Sequence, residues 1–305
     1  MERSPEYYKA VNKLLIKKSF LKKFIPVTIL EHPNYVANYV EITRSEDADG
    51  FKSYKLTSDA QTVQTSVKHA GITISSEMIS DTTENSNIDI VAMSVSALVQ
   101  DTAMELSKDF LRMLNTLASK HKPKLKFFEK IQAFIYKLLN KEFVKIIKVK
   151  SADNLVAKMQ TEFRNITFRC RKNGTYFAIV GPYTSSLLQR SKYFQYTPST
   201  EVESTSFFPV GSIMGIKIYV NAFAHYWDRD ILMGRNVEKG DPGLQMFLYE
   251  GGTKEDYFQM APDPKVAPSR KLTLELSFAL EGIGKSPEDS YAKITYKERK
   301  PLLKK

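Results

Sequence analysis

Apolar residues in the first 25 positions fall at Tyr7, Val11, Leu14, Leu21, Phe24 and Ile25, with lysines between them. That spacing predicts an amphipathic basic helix, and Pro26 ends it because proline cannot continue the helical hydrogen-bond ladder. The pattern then changes to short runs of β-branched and aromatic residues: V-E-I-T at 40 to 43, and F-K-S-Y-K-L-T from Phe51. S-E-D-A-D-G separates them, and Asp49-Gly50 is a turn signal, so this stretch predicts a long hairpin with a charged tip. Both faces of that hairpin are mostly polar. A hairpin without an apolar face of its own is expected to lie against something else.

Helical periodicity returns at Val91, Val95, Leu98, Leu106, Phe110, Met113, Leu114 and Leu117. Ser86 and Asp89 form a cap-like start and Pro123 forces the stop. About 30 residues at 1.5 Å each make a rod of roughly 45 Å. A second amphipathic helix is expected to follow. It sets Phe128, Ile131, Phe134, Ile135, Leu138, Leu139, Ile146 and Ile147 against Lys130, Lys137, Lys141 and Lys145. After about residue 163 the texture becomes β-rich: ITFRC, TYFAIV, GIKIYV, DILMGR, LQMFLYE, KLTLELSFALEG and YAKITYKE read as strands. One short helix, YTSSLLQRSKYF, interrupts them, and GIGKSPED joins the last two. Helices early and strands late give an α+β class.

Composition changes this picture in one respect. At 305 residues, with 42% hydrophobic and 26% charged residues, the chain has ordinary globular content for one large domain or two. No apolar run approaches the roughly 18 residues that span a bilayer, and no secretory signal opens the chain. The charge, however, is concentrated. Residues 1 to 25 hold seven Lys/Arg against two Glu, and residues 120 to 150 hold ten Lys against two Glu. The net charge is +11, so the rest of the chain is close to neutral. Two basic segments on a neutral body point to a polyanion or an acidic partner at one face.

The residues with chemical potential do not assemble into a catalytic pattern. Asp228 and Asp230 could offer oxygens to a divalent cation, with His225 and the single tryptophan, Trp227, beside them. No glycine-rich strand-to-helix turn precedes them, and Asp230 opens an apolar run, so the triplet reads as a turn at a strand start. Gly282-Ile283-Gly284-Lys285-Ser286 resembles the end of a phosphate loop, but Ala279 stands where that pattern needs its first glycine. Pro287 and two acids follow, which suits a turn between strands. The four histidines show no metal spacing, and Cys170 is the only cysteine. No catalytic, cofactor-binding or metal-binding residue is expected.

The order of elements resembles the major capsid protein of tailed phages, a fold shared with encapsulin shells, and is most similar to the capsid proteins of T-even-like myophages. TYFAIVGPYTSSLLQ (175 to 189), GIKIYVNAFAHYWDRDILMGRN (215 to 236) and PGLQMFLYE (242 to 250) carry the likeness. A "K-V-Y-V-D" strand of that family matches Lys217 to Asn221, its "ILVG" strand matches Ile231 to Gly234, and its "GLFY-P" strand matches Gly243 to Phe247. The likeness is strongest over 166 to 300 and rests on element order before that. Family members often carry an N-terminal segment that a prohead protease removes; here Met1 stands directly in the arm, which is expected to be retained and docked.

The resemblance implies an N-terminal arm (1–33), an extended hairpin loop (34–70), a peripheral domain with a long spine helix (71–165), an α/β axial domain (166–254) and closing strands (255–305). It implies a protein synthesised in the host cytoplasm that forms a virion capsid, a shell of hexamers and pentamers enclosing double-stranded DNA, with no enzymatic activity, cofactor or membrane. Asp49, Gly50, Phe51, Pro182 and Tyr183 are the expected contacts between subunits. Lys17, Lys18, Lys22, Lys23, Lys137, Lys141, Lys145 and Lys148 are expected to face packaged DNA or a scaffold. Portal and decoration proteins are further expected partners. The resemblance itself leaves one alternative, an encapsulin-like compartment with protein cargo, and the residues leave two: a basic nucleic-acid-binding protein that does not assemble, and metal-dependent transfer at Asp228 and Asp230.

Overall fold

A computed structural model describes residues 13–46, 52–75, 90–120, 146–197, 206–249, 258–263 and 269–298. The chain enters as helix over 13–19, and Phe20 then takes a left-handed conformation (φ 62°) before a 3-10 turn at Leu21–Lys23. This break re-aims the apolar side chains. Leu14, expected on the buried stripe, is exposed, whereas Leu15, Phe20, Leu21, Phe24 and Ile25 are buried.

Two sheets and one long helix follow. Strands β1 (Val27–Leu30), β2 (Asn34–Glu46), β3 (Lys52–Gln64) and β4 (Ser66–Ser75) lead to helix α1 (Ile90–Lys120). Then come β5 (Ile146–Val149), α2 (Ala152–Cys170), β6 (Tyr176–Val180), α3 (Pro182–Gln189) and β7 (Phe194–Tyr196). Strands β8 (Phe207–Ile213), β9 (Ile216–Asn221), β10 (Asp230–Arg235), β11 (Gly243–Tyr249), β12 (Phe258–Asp263), β13 (Ser269–Ile283) and β14 (Tyr291–Glu298) complete the fold. The larger sheet has the order β5-β14-β10-β6-β9-β8-β7, and the smaller runs β1-β11-β13-β12 with β4 also on β13. Strands β2 and β3 pair only with each other, as the predicted hairpin, from Asn34↔Gln64 to Glu46↔Lys52.

Helix α1 buries Leu98, Val99, Ala103, Leu106, Phe110, Leu114, Leu117 and Ala118, a stripe recurring every three to four residues. It touches β4 and β13 of one sheet and β10 and β14 of the other. Its buried Ser107 donates to Ala103 O (2.8 Å) and lies 3.2 Å from Ser19 O, tying the helix to the arm. Among the described residues, no helix is long and apolar enough to cross a membrane.

Three sequence expectations are corrected. ITFRC is the last turn of α2, not a strand. Ser151 accepts the Asn154 N–H at its start, and Leu155, Val156, Met159, Phe163 and Ile166 bury a helical face, so period outweighs the β-preference of that run. Ile146 and Ile147, assigned to the tail of the second basic helix, lie in β5, which pairs in parallel with β14 from Ile146↔Thr295. The helix after Gly181 ends at Gln189, and Phe194 belongs to β7. The proposed cap at Ser86 and Asp89 and most of the second basic helix lie outside the described residues.

Six aromatic rings join the arm to the body. Phe24 packs 5.3 Å from Phe110 of α1, 5.0 Å from Phe177 of β6, 5.1 Å from Phe207 of β8 and 4.8 Å from Tyr219 of β9. Phe20 adds an edge contact to Tyr219 at 5.9 Å. Truncating such a residue removes its burial and leaves a cavity. Phe24→Ala is expected to lower the unfolding free energy of the unassembled chain by about 3–5 kcal/mol, measured by urea denaturation. A loss below about 1 kcal/mol would show that the arm does not hold this position.

Candidate subunit-contact surfaces

The loop from β9 to β10 holds the residues that looked most like a metal site. The Asp228 Oδ1 accepts the Asp230 N–H at 3.0 Å, and Asp228 O accepts Thr184 Oγ1 at 2.9 Å. The Asp230 carboxylate accepts Thr295 Oγ1 at 2.6 Å and pairs with Lys293 Nζ at 2.7 Å. The adjoining cleft of about 280 Å³ is lined by Asp228, Asp230, Arg112, Lys293, Asn115 and Leu111, with its charges balanced. Both aspartates therefore close a turn and anchor the start of β10, and a cation entering there would meet two others. No group of three His, Cys, Asp or Glu suited to a metal occurs among the described residues.

The glycine-rich turn after β13 does grip an anion, but an internal one. Lys285 N–H donates to Glu41 Oε1 at 2.6 Å. Gln61 Nε2 donates to Gly282 O and its Oε1 accepts the Gly284 N–H, both at 3.4 Å, while Lys285 Nζ lies 3.7 Å from Asp59 Oδ2. Glu41, Asp59 and Gln61 sit on the inner face of the hairpin, beside buried Ala37, Tyr39 and Val63. Gly284 has φ +106°, and a Cβ there would meet Pro242 Cβ at 2.7 Å, so only glycine suits this turn. The polar face that gave the hairpin no evident core is thus a docking face at its base. Its opposite face leaves Val36, Val40 and Leu56 exposed.

Gly234, the glycine of the I-L-M-G strand, has a packing reason. A Cβ would stand 2.5 Å from the Phe177 ring and 2.8 Å from that of Tyr291. Cys170 lies 3.4 Å from Ser290 Oγ, and burial pushes its thiol above the usual value, leaving it a poor nucleophile at neutral pH.

Of the expected contact residues, Asp49, Gly50 and Phe51 lie outside the described residues, as do Lys137, Lys141 and Lys145. Lys17, Lys22 and Lys23 are exposed on the arm, Lys18 is half-buried, and Lys148 is exposed on β5. Pro182 and Tyr183 open α3. The structure brings Tyr183 together with Tyr226 and Trp227, at ring distances of 6.2 and 5.0 Å; sequence reasoning noted only Trp227, as a neighbour of the two aspartates. The signal in the sequence was the aromatic pair itself, which lies in a loop rather than in a periodic apolar stripe.

A spine helix crossing two sheets, an isolated long hairpin and an arm packed into the core define the tailed-phage capsid fold. Solved structures share it. The chain matches the satellite phage P4 procapsid including size determination (Sid) protein with TM-score 0.53 and 9% identity, over 98% of this chain and 93% of that one. It matches Microbacterium phage Oxtober96 with TM-score 0.51 and 12% identity, over 90% of both chains. Mycobacterium phage Adephagia matches with TM-score 0.51 and 10% identity, over 93% of this chain and 91% of that one. No curated protein matches the chain in sequence. The family model of major capsid protein Gp23 matches residues 22–242, and the chain belongs to that family of shell-forming structural proteins.

Two outcomes follow from the two turns. Glu41→Ala and Gly284→Ala are each expected to speed hydrogen exchange at the Lys285 amide and across 34–46 and 52–64 at least several-fold, leaving α1 protected; unchanged exchange would mean that this turn does not hold the hairpin. Calorimetric titration with magnesium or manganese is expected to show no stoichiometric micromolar site. A site abolished by Asp230→Ala would overturn the structural reading of the triplet.

Proposed function

We propose that this chain forms the icosahedral head shell of a tailed phage, as hexamers and pentamers enclosing double-stranded DNA. The observation that carries this reading is the match to major capsid protein Gp23 across 22–242, which spans the end of the arm, the hairpin, the spine helix and the larger sheet except β14. Arm (1–33), hairpin loop (34–70), peripheral domain (71–165), axial domain (166–254) and closing strands (255–305) are the working divisions. The hairpin is anchored at its base and offers Val36, Val40 and Leu56 outward, as a strand pair that lies on a neighbouring subunit would. Its tip at Asp49, Gly50 and Phe51, and Pro182 with Tyr183, are assigned to contacts between subunits.

The basic segments face inward. Lys17, Lys18, Lys22, Lys23 and Lys148, with Lys137, Lys141 and Lys145, meet packaged DNA or an acidic scaffold, and portal and decoration proteins complete the head. The protein is synthesised in the host cytoplasm. Such polyanion contacts are independent of sequence and weaken as salt displaces the released counterions, with a slope of about 0.9 per phosphate contact.

Two variants test the interior assignment: Lys17, Lys18 and Lys22 to Gln, and Lys137, Lys141, Lys145 and Lys148 to Gln. Each is expected to assemble and to retain less DNA, with the log–log salt slope shallower by up to about 3 to 4. Retention with an unchanged salt response would mean that these lysines only solvate their elements. Light scattering of the wild-type chain tests the shell itself: a strict monomer at all concentrations, alone and with its scaffold, would sink it.

A further inference from the structure

Tyr226 and Trp227 are 52% and 59% exposed, an unusual state for two large rings side by side. They are not loosely held. Their rings meet at 4.9 Å and 90°, and Trp227 lies 5.0 Å from Tyr183. The Tyr183 N–H donates to Tyr226 O at 3.1 Å, its hydroxyl donates to Glu298 Oε1 at 2.6 Å, and Arg229 stands 5.7 Å over its ring. The turn that carries them is closed independently, by Asp228 N–H to His225 O at 2.9 Å and by the Asp228–Asp230 contact. Tyr226 and Trp227 belong to none of the three core clusters. The fold therefore does not require these rings, yet it presents them rigidly, with an arginine beside them. Tryptophan, tyrosine and arginine, preorganised and exposed, are the residues that dominate protein–protein contacts.

A ring of identical subunits needs two different patches, one on each flank, because its contacts are head to tail. The second patch is on the same sheet. Among the described residues β7 is its edge strand, three strands away from β6, with Tyr196 74% exposed and Phe208 of β8 42% exposed. The sheet's register shows that β8 begins, and β7 heads, toward the end where the aromatic loop sits, since Phe207 pairs with Asn221 and Tyr196 with Gly211.

The geometry points to a heterologous contact in which Tyr183, Tyr226 and Trp227 of one copy dock on the β7–β8 edge, at Tyr196 and Phe208, of a second copy. This rests on the shell-forming reading and names the surface that closes its rings.

The test uses the full chain. Trp227→Ala with Tyr226→Ser is expected to leave the melting temperature of the unassembled protein within about 2 °C, because the rings are outside the core. The concentration needed for assembly is expected to rise at least about 10-fold, as loss of a central aromatic contact does. Tyr196→Ser is expected to do the same from the other side. A photo-crosslinker at position 227, in particles made from mixed heavy- and light-isotope chains, is expected to join two copies through β7 or the start of β8, at residues 194–196 or 207–208. Normal assembly of the double variant would overturn the contact while leaving the shell reading intact, and failure of the wild type to assemble would remove the shell reading first. Crosslinks within one chain, or only to DNA or another protein, would also overturn it. Should the double variant unfold, Trp227→Phe and the crosslink map still decide the question.

Discussion

The position of one ring, Phe24, governs the rest of the molecule. It is buried to 1% exposure where the arm, α1 and three strands of the larger sheet converge. Aromatic pairs at 5 to 6 Å with edge or tilted geometry add to the burial of each ring. The core that surrounds Phe24 also takes in Leu244, Met246 and Leu248 of β11 and Leu274, Leu276 and Phe278 of β13, so both sheets are built on it. An amphipathic arm can bury its stripe only against another surface, and here that surface is its own chain. The consequence is that Lys17, Lys18, Lys22 and Lys23 are held in a fixed place relative to the sheets.

The hairpin obeys a different constraint. Its inner face is polar, yet Tyr35, Ala37, Tyr39 and Val63 still meet Leu30, Phe247, Ala279 and Ile283 at the base. The remaining polar groups find partners on the Gly282–Lys285 turn. A backbone N–H aimed at a carboxylate is a charge-assisted bond, stronger than a neutral one. The local geometry that made this turn look like a phosphate loop is the geometry that lets it hold Glu41. A cantilever of 13-residue strands thus has a stiff root and an outer face left for a neighbour.

Much of this was legible in the sequence. Alternation and turn chemistry marked β2, β3, β6, β9, β10, β11, β13 and β14, and the period of 3.6 marked α1, because each buries its apolar residues at the regular spacing of its own backbone. The misreadings have physical causes. ITFRC has strand-like residues but completes a helical face begun at Leu155, a period visible only over a longer window. Ile146 and Ile147 read as helix since an apolar pair beside lysines fits either period, and the parallel partner that decides it, β14, lies some 150 residues away. The aromatic hub was not legible at all. Phe24, Phe110, Phe177, Phe207 and Tyr219 are scattered along the chain, and only the fold makes them neighbours.

The segment from 222 to 230 shows how a residue pattern can mislead about chemistry while remaining informative about function. Two acids, a histidine and a tryptophan suggest a catalytic centre when read as a list. In space the acids turn inward, each satisfied by a backbone N–H, a hydroxyl or Lys293, and the rings turn outward. The two facts are linked. A loop this rich in aromatic surface would collapse onto the body to bury it unless its backbone were held from below. Asp228 and Asp230 supply that hold by closing the turn and fixing the start of β10. The carboxylates do structural work that leaves the aromatic side chains available to another molecule, and in a shell built from one kind of chain the molecule most often at hand is another copy.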